Sequence, residues 1–405
     1  MEKRRPSYHA LQGLKDACDV WVDEMRAIFK DEGVILFFFL VPLLYPLLYS
    51  WIYNNEVVRE VPVAIVDLSR SHESREFIRL FDSSPDTRAA YHCQHLSEAQ
   101  HLVGKHQVNG VLYFTPDFAM RLNRGEQTKV GVYCDMSLML TYKAIYQTAQ
   151  AVALDLNARI QVAQAGAVTE RNGEIATHPI ECDEIPLFNA TGGYGNAILP
   201  GVLVLILQQT LFLGIGLLAG TAHERRGYAP LLAIARRRGG ILRIVAGKSA
   251  CYFMIYAAIA AYITLCVPRF FHFTSLSTAG PLLYLLIPYL LACVFLGLTL
   301  SYIVRHREDI ILMVVFTSVP LLFLSGITWP LSNFPAFWQY FAMLFPSTYG
   351  IRGFLQVNSM GATIADLQPV CTALWIQVAV YLATALLVFR LEMKRTAKTE
   401  DIPLS

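Results

Sequence analysis

The chain has 405 residues, of which 55% are hydrophobic and only 16% charged, with a formal net charge of +2. Soluble domains carry about 25% charged residues, so these figures exclude both an ordinary soluble enzyme and a disordered chain. The near-neutral balance also excludes a nucleic-acid binder, which needs a strongly basic face.

Residues 1–33 place apolar side chains at Leu11, Leu14, Cys18, Trp21, Met25 and Ile28, alternately three and four apart. Lys15, Asp16, Asp19, Asp23, Glu24 and Lys30 fill the other face. That period predicts an amphipathic helix, expected to lie along the cytoplasmic membrane surface. Residues 34–55 then read VILFFFLVPLLYPLLYSWIYNN without a charge, long enough for a first span. The run is too long for a signal-peptide core and no A-x-A site follows it. It reads as an anchor.

Residues 56–194 are polar. Strands are expected at 61–66, 89–93, 110–114 and 130–134, and helices at 73–81, 97–106, 116–124 and 141–164. Such alternation predicts an α/β domain of βαβ units around a small sheet. No catalytic constellation stands out in it. His92, Cys93, His95, His101 and His106 crowd together, but their spacings match no established site, and no metal is assigned. Cys93, Cys134 and Cys182 allow at most one disulfide, with the pairing left open.

Further uncharged stretches predict spans near 195–220, 249–268, 282–304, 310–327 and 367–389, making six. Lys and Arg number six in 1–33, seven in 221–248, two in 305–309 and four from Arg390 onward. Short loops on the opposite side hold one each, Arg269 and Arg352. The positive-inside rule then puts both termini, including the tail 391–405, in the cytoplasm. The polar domain falls outside the cell membrane. Residues 310–351 lack any charge, yet Pro330, Pro335 and Pro346 divide them, so 328–352 reads as a re-entrant segment.

The expected fold class is therefore an α-helical polytopic membrane protein with six transmembrane helices and an inserted α/β extracytoplasmic domain. No Asp, Glu, Lys or Arg lies inside a predicted span, which disfavours a proton- or ion-driven transporter. Gln208, Gln209, Thr317 and Ser318 are the most polar mid-span residues. They are candidate path-lining residues, with helix–helix hydrogen bonding as the plainer role. Gly247-Lys248-Ser249 imitates the tail of a phosphate-binding loop, but Leu242 stands where G-x-x-x-x-G-K-[ST] needs glycine. No ATPase site is expected in this chain. The loop 221–248 carries its own apolar segment, 229–235, which suits a short helix docking on a cytosolic partner.

Four blocks give a family resemblance along nearly the whole chain. They are Phe29-Lys30-Asp31 before the proline-containing first span, and VPVAIVD (61–67) with Ser74-Arg75, Glu98-Ala99, Gly110-Val111 and Pro116-Asp117-Phe118. The third is Glu224-Arg225-Arg226-Gly227. The fourth and most specific is LSGITWPLSNFP (324–335) with FPSTYGIRG (345–353). Together they resemble the permease subunit of ABC-2 type transporters, in the exporter group with a large extracytoplasmic domain after the first helix. The loop departs from the family pattern at Arg226, where an acidic residue is common, and at Tyr228, where threonine is usual.

The resemblance implies a membrane-spanning export permease in the inner membrane, working as a dimer with a second copy or a paralogue. A separate cytosolic ATPase, which binds ATP and magnesium, would drive it. Glu224, Arg225, Arg226, Gly227 and Tyr228 would couple to that ATPase. Ser325, Gly326, Pro330, Pro335, Pro346, Tyr349 and Arg352 would form the outer gate. Membrane lipids and a periplasmic adaptor are further candidate partners, and a drug-like amphiphile or lipid-like molecule is the expected cargo. The rival reading is a membrane-anchored receptor or scaffold that uses the outer domain without transport.

Overall fold

In the computed structural model the described residues are 6–54, 58–165, 193–225, 228–237 and 239–400. They divide into two compact units, one formed by Met1–Glu56 with Leu187–Ser405 and the other by Val57–Pro186.

The first unit opens with helix α1 (Pro6–Lys30) and, after Asp31, the apolar helix α2 (Glu32–Ile52). Asp31 has extended backbone, and its carboxylate accepts the Gly33 and Val34 N–H groups, so α1 stops and α2 starts at one capping residue. A π-helical turn at Leu36–Leu40 interrupts α2 ahead of Pro42 and Pro46.

In the second unit, strands β1 (Val61–Asp67), β2 (Thr87–Cys93), β3 (Gly110–Phe114) and β4 (Val130–Cys134) alternate with helices α3 (His72–Asp82), α4 (Leu96–Gly104), α5 (Phe118–Asn123) and α6 (Met139–Ala165). The sheet order is β2-β1-β3-β4, parallel except for the antiparallel β4. Because side chains alternate across a strand, β1 feeds two cores. Val61, Val63 and Ile65 pack with Phe77, Phe81 and Ile145, whereas Ala64 and Val66 pack with Ala99 and Val108. The result is a helix–sheet–helix sandwich. Asp67 ends β1 by accepting the Ser69 and Arg70 N–H groups and the Ser74 hydroxyl. Cys93 and Cys134 occupy the two edge strands, three strand spacings apart at roughly 4.8 Å each. They are too distant to bridge, and Cys182 lies outside the described residues.

The first unit resumes with α7 (Tyr194–Glu224), the short α8 (Leu232–Ala235), and α9 (Gly240–Phe270). There follow α10 (Ala279–Leu300), α11 (Arg307–Leu324), α12 (Ala336–Ala342), α13 (Pro346–Met360) and α14 (Gln368–Glu400). Among the described residues five helices are long and apolar enough to cross a membrane: α2, α7, α9, α10 and α14. The sixth expected span falls on α11, whose 18 residues open with Arg307-Glu308-Asp309. Its uncharged remainder is about 22 Å long at 1.5 Å per residue, short of the roughly 30 Å hydrocarbon core.

Helix α1 runs against α9. Gly247 permits the contact, because a Cβ there would lie 2.5 Å from the Ala17 carbonyl oxygen. The buried face of α1 is Asp16, Val20, Glu24 and Ile28, spaced by four. Two residues assigned by sequence to the solvent side are thus buried, while Leu14 (67%) and Phe29 (59%) stay exposed. The charged side chains turn inward because basic partners wait there.

Candidate functional site

Three carboxylates hold the N-terminal segment to the rest of its unit. Asp16 receives Arg237, from the segment before α9, and Arg243 at 2.6 Å. Glu24 receives Lys248 and the Tyr252 hydroxyl. Asp31 receives Arg307 at 2.7 Å. The phosphate-loop look-alike thereby gains a structural account. Gly247 lets α1 approach, Lys248 answers Glu24, and the Ser249 hydroxyl donates to the Val245 carbonyl at 2.7 Å.

The loop after α7 is anchored on several sides. Glu224 accepts the Arg307 backbone N–H at 3.2 Å, tying α7 to α11. His223 Nε2 lies 3.2 Å from Glu392 of α14, and the Tyr228 ring meets the His223 ring edge-on at 5.2 Å. Tyr228 is buried, and this burial pushes its hydroxyl pKa far up, so it stays a neutral phenol. Leu232 is also buried, so the apolar side of α8 faces its own unit and Ala233 and Arg236 face outward. The loop between helices is 225–239, shorter than the 221–248 expected. Arg225 is exposed, whereas Arg226 and Gly227 lie outside the described residues.

A cavity of about 780 Å³ opens beside this loop, with Arg225, Lys30, Lys248 and Arg307 facing Asp31 and Glu32 among its walls. Mixed charge of this kind fixes register with a complementary surface better than it supplies raw affinity. No group of three His, Cys, Asp or Glu able to hold a metal ion occurs among the described residues.

The proline-rich block folds as a broken helix. After Leu324 the chain turns through buried Ser325 and Gly326, the latter at φ +89°, where a Cβ is strained. Pro330 and Pro335 flank a 3₁₀ turn and lead into α12. Pro346 begins α13 at its first turn, where its missing N–H costs nothing. Tyr349 and Arg352 lie on α13, half-buried.

Breaks in a helix leave backbone groups without intrahelical partners, and side chains from other helices meet them here. The Ser347 N–H donates to Gln208 Oε1 of α7 at 2.8 Å, a bond that is fully buried. Gln377 of α14 donates to the Met343 carbonyl at 2.8 Å, and the Tyr381 hydroxyl donates to that of Leu344. Thr348 donates to the Ala342 carbonyl at 2.6 Å, binding α12 to α13. In apolar surroundings such satisfaction is what makes irregular backbone tolerable.

Of the other mid-span polar residues, Gln209 is buried, with neither amide atom bonded within the described residues. Thr317 and Ser318 hydroxyls donate back to their own helix, to Met313 at 2.7 Å and Val315 at 3.0 Å. Sequence reasoning missed Arg307, Gln377 and Tyr381, set Asp16 and Glu24 on the solvent face, and met Asp31 only as part of the first family block. For Asp16 and Glu24 a signal existed: eight residues at 100° each leave them about 80° apart on one helical face.

Residues 33–387 match the family model described as ABC-2 family transporter protein. No curated protein matches the chain. The match covers most of the sequence, and the chain belongs to that family. It is therefore a multi-pass membrane protein and the membrane component of an ABC transporter, a family that implies partnership with an ABC ATPase subunit.

Proposed function

From that membership, we propose that this chain is the permease subunit of an ATP-driven exporter in the inner membrane, without an ATPase site of its own. Two permease subunits, identical or paralogous, enclose the path. A separate cytosolic ATPase binds ATP and magnesium and drives transport. In this reading α11, short as it is, serves as the sixth span, both termini lie in the cytoplasm, and the α/β unit lies outside, where it receives cargo or docks a periplasmic adaptor. The cargo is a drug-like amphiphile or a lipid-like molecule.

One observation supports the coupling role above the others. The end of α7 and its loop engage α11 through Glu224, α14 through His223 and the N-terminal helix through Arg237. A displacement imposed on this loop by the ATPase would be felt by three other helices together. Coupling of this sort needs packed elements with discrete arrangements. The broken helix α12–α13 is the outer gate in this reading, since Gln208 links it directly to α7.

The test is Glu224→Lys in the assembled transporter. Expected is ATP hydrolysis that continues while export falls, with the membrane fold intact. Normal export by this variant would remove the coupling role. Recovery of a P-loop ATPase with the chain from gently solubilised membranes tests the partnership itself.

A further inference from the structure

The α/β unit contains a cavity of about 620 Å³, walled by α3, α5, β4 and α6. Its size falls within the roughly 300–1,000 Å³ of small-molecule sites. Phe77, Phe118 and Tyr146 contribute aromatic walls, and Ala153 and Ile160 line the α6 side. Two carboxylates, Glu73 and Glu76, reach the lining together with the exposed His72, and neither Lys nor Arg is among the wall residues.

These carboxylates are not equivalent. Glu76 is matched by Arg79 at 2.8 Å and by Arg159 at 3.7 Å. Glu73 has no hydrogen-bond or ion-pair partner among the described residues, although it is half-buried. It sits in the first turn of α3. The wall therefore offers one unmatched negative charge beside aromatic faces. Aromatic faces attract cations through the ring quadrupole, and the carboxylate adds a full charge of the same preference. An anion would meet Glu73 with no Lys or Arg in the wall to offset it. A neutral apolar molecule would fill the space but leave the carboxylate partly desolvated and unanswered.

We infer that this cavity is a binding site for a small lipophilic organic cation, held by Glu73 and the Phe77, Phe118 and Tyr146 rings. The site stands on the α/β unit alone and does not depend on whether its ligand is the transported cargo.

The test uses the full chain in lipid nanodiscs, with equilibrium dialysis against tetraphenylphosphonium and subtraction of empty nanodiscs. Tetraphenylborate, of nearly the same shape and opposite charge, is the counter-probe. Expected are saturable binding of the cation and none of the anion. Glu73→Gln, which keeps size and hydrogen bonding, should weaken cation binding about tenfold. Ala153→Trp, which fills the cavity, should abolish it. Equal binding of the two ions, or cation binding unchanged in Glu73→Gln, would overturn the site. So would the absence of saturable cation binding. None of these results bears on coupling at Glu224, which is measured in the assembled transporter.

Discussion

Asp31 and Arg307 stand 276 residues apart and meet in a two-pronged ion pair, with Nη2 2.7 Å from Oδ1 and Nη1 2.8 Å from Oδ2. The same carboxylate caps α2 and accepts the Thr221 hydroxyl at 3.4 Å. One side chain thus joins the starts of α2 and α11 to the end of α7.

Asp31→Asn keeps a capping oxygen and removes the charge, so it should cost about 1–3 kcal/mol, discounted for the partly exposed Arg307. Asp31→Ala should cost about 1 kcal/mol more through the lost cap. Burial acts to raise the Asp31 pKa, but hydrogen bonds from Arg307 and the Val34 N–H, with the Arg307 charge, outweigh it and lower the pKa. A depressed folded-state pKa contributes stability that is present above the unfolded value, near 3.9, and lost as pH falls through the folded one. Melting temperatures in detergent should therefore show a constant gap between wild type and Asp31→Asn from about pH 5 to 8, closing below about pH 4. A gap that persists at the lowest pH would mean the pair is not its source.

Glu24 is buried and Lys248 nearly so, with side chains 10% and 11% exposed. Lys248→Met leaves Glu24 charged against Tyr252 alone and should cost about 3–5 kcal/mol. The double variant Glu24→Leu/Lys248→Met should recover most of that loss, since no unpaired charge remains. A double-mutant cycle of thermal unfolding reads the coupling. Additive losses would show that the two do not act as a pair.

Gln208→Leu leaves the Ser347 N–H buried without an acceptor, at a cost of about 1–3 kcal/mol. The loss should concentrate at the start of α13, since that N–H has no intrahelical partner. Hydrogen exchange across 343–351 should accelerate in the variant while the sheet of the α/β unit is unchanged. Uniform acceleration would argue against a local cap.

Gly326→Ala should cost about 1–3 kcal/mol, because a positive φ strains any Cβ. Gly326→Leu adds crowding against Leu331, whose Cδ1 would lie 2.8 Å from the new Cβ. An export permease that uses this turn as a gate should lose transport in Gly326→Leu while still reaching the membrane. Undiminished transport would remove the gate, and a scaffold would be indifferent to the change.

Much of the architecture was legible beforehand because it depends on short-range pattern. A run such as 34–55 has to be a helix in an apolar medium, whatever it touches, since its backbone groups need internal partners. The alternation of β-rich runs and polar helices from Val61 onward likewise announced a βαβ sheet, and all four strands form. Pro330, Pro335 and Pro346 also marked where regular helix is interrupted, because proline acts locally.

Hydrophobic period, however, records which side of α1 is oily, not which charges find a mate. Asp16 and Glu24 read as solvent-facing, and only the fold brings Arg243 and Lys248, 227 and 224 residues away, against them. Lys248 read as an echo of a nucleotide loop until Glu24 supplied its role. Gln208 read as a lining residue or an interhelical bond, and the broken start of α13 decided what it holds. The sequence by itself determined where the chain must be helical, where it must break and which parts are oily, since those follow from neighbours along the chain. Tertiary structure alone decided the ion pairs and caps, because the partner of a buried polar group is chosen by proximity in space.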